Sequence, residues 1–217
     1  NEKDLEIENL FLFFDLTDLE DDFGYETKGT DYIDNYEIDL SKEKYKKFLK
    51  DNFVITYHVL LNTWWEYIRG YFVSDILNLR YNDRRYSWDY MDISDLANFE
   101  EKKNIVLNNL NKIVKLTKNK NIKLYIVIYP HPGTISHLKN ENLSNNKKLI
   151  STFCNQNDNC EFINLYPAFF RQINETSKKS VIRKFYFTGD SHFNENGHSF
   201  IFEELIKNYY YILNKIN

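Results

Sequence analysis

Residues 122–133 read Ile122-Lys123-Leu124-Tyr125-Ile126-Val127-Ile128-Tyr129-Pro130-His131-Pro132-Gly133, an apolar run that stops at two prolines and a glycine. β-Branched and aromatic side chains suit a pleated surface, and a run with so little polar alternation predicts a strand covered on both faces. Proline brings no backbone N–H, so the ladder must end near Tyr129. Two further runs share this character. Leu10-Phe11-Leu12-Phe13-Phe14 breaks off into Asp15-Leu16-Thr17-Asp18 and reads as a fully buried strand, and Glu161-Phe162-Ile163-Asn164-Leu165 as a shorter one. Between the first two strands, Phe99, Val106, Leu110, Ile113, Val114 and Thr117 fall on one helical face; a segment from Thr134 to about Thr152 separates the second strand from the third. A final helix from about Glu195 to Ile216, with Asn194 as N-cap, carries an apolar stripe through Phe200, Ile201, Leu205, Ile206, Tyr209, Ile212 and Leu213. Strands alternating with helices predict the α/β class: a parallel sheet between two helical layers, a three-layer αβα sandwich.

Composition narrows the class of function. The chain has 217 residues, 42% of them hydrophobic, which is enough for one domain with a core, and we read residues 1–217 as a single domain. Lys and Arg number 28 against 32 Asp and Glu, a net charge of -4 that gives no electrostatic reason to bind a phosphate backbone, so nucleic acid is not an expected partner. No apolar run approaches the roughly 18 residues of a spanning helix. Cys154 and Cys160 stand six apart in a polar, turn-forming segment, where they could close a small disulfide loop; that reading favours an oxidising, extracytoplasmic compartment over a cytoplasmic one.

Residues 24–97 are too many for a simple strand-to-helix crossover and read as a mostly helical insertion with an aromatic exit. Trp64, Trp65, Tyr67, Tyr71, Tyr86, Trp88 and Tyr90 stand out there. Packing against the sheet is the expected use of such side chains; a lid with a sugar-stacking surface is the sharper alternative.

The chemistry concentrates in Gly189-Asp190-Ser191-His192-Phe193-Asn194-Glu195-Asn196-Gly197-His198, just ahead of the last helix. An Asp-x-His on a loop can set a carboxylate against one imidazole nitrogen and leave the other to take a proton from a nucleophile. The order Asp190-x-His192-aromatic-Asn194-x-x-Gly197-His198 resembles the closing block of the SGNH (GDSL-type) hydrolase superfamily, in its polysaccharide-modifying branch. Two more stretches share the likeness: Phe13-Phe14-Asp15-Leu16-Thr17-Asp18 at one strand end and Tyr129-Pro130-His131-Pro132 at the next. The resemblance implies a flavodoxin-like αβα sandwich, Asp190 and His192 as catalytic partners, no cofactor and no metal. It also implies a substrate that is a carbohydrate or other small acyl ester, cleaved by an esterase or passed on by an O-acetyltransferase. A transferase would draw on an acyl-donor partner in the membrane.

Two features depart from that family. The strand end carries Asp15-Leu16-Thr17-Asp18 where relatives place Gly-x-Asn-Asp, so the oxyanion donor is open, with Thr17, Asp18 and His131 as the substrate or oxyanion candidates. The family's nucleophilic serine sits in a Gly-Asp-Ser turn ahead of everything seen here. Ser191 belongs to a Gly-Asp-Ser tripeptide but, flanked by Asp190 and His192, cannot easily present its hydroxyl to the histidine that Asp190 holds. The expectation is therefore an N-terminally incomplete fold whose serine lies outside these residues. A noncatalytic glycan-binding or scaffold relative is the rival. His192 and His198 are six apart and fall on different faces of a helix, which argues against a zinc site.

Overall fold

The computed structural model describes residues 7–28, 87–187 and 191–213. Most of the expected helical insertion, with the aromatics Trp64, Trp65, Tyr67, Tyr71 and Tyr86, lies outside these residues, as does Asp190. Three strands form one parallel sheet in the order β1 (Asn9–Phe14), β2 (Lys123–Ile128), β3 (Cys160–Asn164). Phe14 pairs with Ile128 and Ile128 with Asn164, so the three carboxyl ends are level. Seven α-helices surround them among the described residues: α1 (Asp18–Lys28), α2 (Phe99–Asn119), α3 (Pro132–His137), α4 (Asn145–Asn155), α5 (Tyr166–Glu175), α6 (Lys178–Phe185) and α7 (Glu195–Leu213). The chain is thus an α/β fold.

Alternation along β2 builds both halves of the core. Leu124, Ile126 and Ile128 face one side, where Val106, Leu110 and Val114 of α2 and Ile150 and Phe153 of α4 meet them. Tyr125 and Val127 face the other, against Phe169 of α5, Val181, Ile182 and Phe185 of α6 and Ile201 of α7. Each such aliphatic side chain buried contributes about 1.5–3 kcal/mol, and β2 is the element on which both clusters depend. Cys154 in α4 and Cys160 at the start of β3 are joined as a disulfide, clipping the helix to the strand that follows it.

Three elements differ from what their sequences predict. β1 is an edge strand among the described residues, and its Leu10 and Phe13 are 39% and 45% exposed, so only Phe14 matches the fully buried strand expected. The segment after β2 is two helices. Asn140 bonds the Asn142 N–H at 3.0 Å to make a tight turn, and the Ser144 hydroxyl then caps α4 by accepting from the Lys147 N–H at 2.9 Å. Asn and Ser compete with the helix for backbone groups and so break it there. The expected insertion boundary at Gly24 falls inside α1, which continues to Lys28.

Trp88 settles one alternative. It is 2% exposed and packs in the core beside Phe99, with its indole N–H donating to the Leu16 carbonyl at 2.8 Å. It is a core residue and no part of a stacking surface.

Candidate functional site

The level strand ends bring Asp15, the first residue after β1, beside Tyr129, the first after β2. The Tyr129 hydroxyl donates to Asp15 Oδ2 at 3.0 Å. His131, only 3% exposed, lies with Nε2 3.4 Å from the same oxygen, and its ring stacks on Tyr129 with centroids 5.9 Å apart. The other Asp15 oxygen accepts the Thr17 N–H at 2.8 Å, an Asx turn that bends the chain from strand into helix. The Asp15 N–H in turn donates to Asp18 Oδ2 at 3.0 Å. Acidic residues at Asp18, Glu20 and Asp21 suit the positive end of α1, and Glu20 pairs with Lys102 of α2 at 2.5 Å.

Two neighbouring carboxyls in this setting take opposite states. Burial pushes Asp15 up, yet the His131 hydrogen bond and charge, together with Thr17, outweigh it and hold Asp15 well below the ordinary carboxylate range. Asp18 is pushed up to about 7, by burial first and then by the negative charge of Asp15. A pair driven apart in this way can hold one proton and one charge near neutral pH, the pattern of acid–base sites. Tyr129 is driven upward by burial and by Asp15, so its hydroxyl stays a donor.

The closing block is hung over this strand end. Tyr186 pairs with Phe193 in an antiparallel bridge, flanked by hydrogen bonds from Phe187 N–H to the His192 carbonyl and from Asn194 N–H to the Phe185 carbonyl, both 3.0 Å. The Tyr186 hydroxyl donates to the Pro130 carbonyl at 2.5 Å, and the Phe193 ring tilts against Tyr129 with centroids 5.2 Å apart. His192 is exposed on the turn so anchored. Asn194 does double duty: its Oδ1 caps α7 through the Gly197 N–H at 3.0 Å, and its amide nitrogen donates to the Lys184 and Tyr186 carbonyls at 3.1 Å. His198, also exposed, meets Phe193 edge-on at 6.0 Å.

Thr17, Asp18, His131 and the His192 turn therefore gather at one end of the sheet, while Asp190 lies outside the described residues. Thr17 spends its backbone N–H on Asp15. Among the described residues no group of three or more His, Cys, Asp or Glu side chains is arranged to hold a metal ion, and no helix is long and apolar enough to cross a membrane.

The sequence reading gave no role to Asp15 and Tyr129, although the first polar residue after a parallel strand is a recognisable signal. It also missed Asp89. That side chain is fully buried and accepts from Thr134 Oγ1 at 2.8 Å, Ser144 Oγ at 2.5 Å, the Asn146 N–H at 3.0 Å and the Tyr166 hydroxyl at 2.9 Å. Its partners come from α3, α4 and α5, a convergence that spacing in the sequence does not reveal.

No family model, curated protein or solved structure matches the chain.

Proposed function

We propose that the chain is the larger part of a serine-type ester hydrolase or O-acyltransferase with an SGNH-type αβα sandwich, acting on acyl esters of carbohydrate outside the cytoplasmic membrane. His192 takes the proton of a serine supplied from outside these 217 residues and returns it to the leaving group, while Asp190 orients the imidazole. Water as acceptor gives an esterase and a sugar hydroxyl gives a transferase. Asp15, Asp18, Thr17 and His131 form a polar cluster at the strand ends on which the His192 turn is anchored.

The observation that carries the reading is the anchoring of the His192 turn, through Tyr186 and Phe193, at the end of the sheet where Tyr129, Asp15 and His131 converge. In open parallel sheets, ligands bind in the crevice beyond the carboxyl ends of the strands. The disulfide between Cys154 and Cys160 supports an oxidising compartment.

The test uses the full-length gene product with two acetyl esters, a partially O-acetylated xylo-oligosaccharide and triacetin. His192→Ala is expected to lower kcat on both by about a thousandfold or more, the usual consequence of losing a catalytic base. Unchanged turnover in that variant would overturn the proposal. Glycan binding without any turnover, insensitive to His192→Ala, would identify a noncatalytic binding subunit instead.

A further inference from the structure

The turn that bears His192 also bears an aromatic ring with no place in the core. Tyr186 and Phe193 form the non-hydrogen-bonded pair of the short antiparallel bridge, so the next pair outward sets Phe187 opposite His192. Side chains alternate between faces along such a pair, and residues directly opposite have Cβ atoms about 4.5–5.5 Å apart. Tyr186 and Phe193 point inward and are buried. Phe187 and His192 therefore share the outward face as neighbours, and Phe187 is 55% exposed. The other aromatics of this stretch behave differently: Phe185 stacks on Phe200 at 4.5 Å, while Tyr186 and Phe193 pack with Phe169. Core packing thus accounts for Phe185, Tyr186 and Phe193 but not for Phe187.

We propose that Phe187 is a substrate-binding residue whose ring stacks on the apolar face of the sugar that carries the ester, setting the acyl group beside His192. This inference rests on the proposed function and names the substrate contact of that same site. An aromatic face is electron-rich, and the C–H bonds of one face of a pyranose ring present the complementary positive edge together with apolar area to bury. A position opposite the base is where such a ring orients the scissile ester. An acyl ester without a sugar ring gains nothing from it.

The experiment compares the full-length gene product with Phe187→Ala and Phe187→Trp on the same two esters, with thermal melts to confirm that each variant is folded. Phe187→Ala is expected to raise KM for the acetylated xylo-oligosaccharide by about threefold to tenfold, the worth of one aromatic contact, while kcat/KM for triacetin stays within about twofold. Phe187→Trp, which keeps a stacking face, is expected to restore KM for the oligosaccharide. Equal losses on both esters, or no change on either, would overturn the stacking role. If His192→Ala abolishes turnover while Phe187→Ala leaves the oligosaccharide KM unchanged, the stacking role fails alone. If the unmodified protein hydrolyses neither ester and binds no oligosaccharide, the functional reading fails and the stacking role with it.

Discussion

Asp15 and Asp18 are three residues apart, yet one is held ionised and the other is pushed up to about 7. The cause is local. His131 and the Thr17 amide favour charge on Asp15, and that charge, added to burial, disfavours charge on Asp18. Because the native value for Asp18 lies above the ordinary 3.8, the folded chain keeps a proton between about pH 4 and pH 7 that the unfolded chain has released. Its contribution to stability is therefore greatest below pH 4 and declines as pH rises to about 7. Asp15 works the other way: it stabilises the fold above its ordinary range and loses that effect as pH falls through its lowered native value. Denaturant titrations at a series of pH values check this. Asp18→Asn keeps an acceptor for the Asp15 N–H, and is expected to flatten the decline between pH 4 and 7 by up to about 1.4 kcal/mol per pH unit. Identical slopes for the two proteins would show that Asp18 carries no such proton. The sequence displayed both carboxyls, but the charge that Asp15 keeps depends on His131, which arrives from more than a hundred residues away.

At the scale of the element, α7 shows how a motif glycine acts through contact distance. Gly197 sits in the first turn of α7, where a Cβ would stand 2.2 Å from the Phe185 carbonyl oxygen and 2.7 Å from Phe193 Cδ1. The nearest obstacle is backbone, which cannot swing away as a flexible side chain would. Gly197→Ala is expected to cost about 1–3 kcal/mol, read as a lower urea midpoint with an unchanged slope. An unaltered midpoint would mean that α7 can slide off the turn without loss. The Asn194 cap and the start of α7 were legible in the sequence, since an N-cap acts on neighbours three residues away. The close approach to Phe185 was not, because it joins the ends of two different helices across the turn.

At the scale of the whole molecule, Asp89 ties the segment entering α2 to the loops at the carboxyl ends of the sheet, holding α3, the cap of α4 and the start of α5 together. Trp88 beside it locks the same segment to Leu16, and the Asn145 amide nitrogen donates to the Trp88 carbonyl at 2.7 Å. Asp89→Ala would strand three hydroxyls and an amide in the interior. The expected loss is about 3 kcal/mol or more in a chemical denaturation experiment, with the transition broadened if α3 and α4 loosen first. A loss under about 1 kcal/mol would show that those groups find other partners. The sequence by itself determined the alternation of strands and helices, the strand stop at Pro130, the helical face of α2 and the cap of α7. These depend on side-chain periodicity and on nearest-neighbour backbone chemistry. Tertiary structure alone decided that β1 is an edge among the described strands, that Trp88 belongs to the core, and that Asp15, Tyr129 and His131 meet beneath the His192 turn. Those outcomes depend on which strand ends come level and which loops cross them, and a parallel sheet settles that between residues too distant in the chain for local spacing to register.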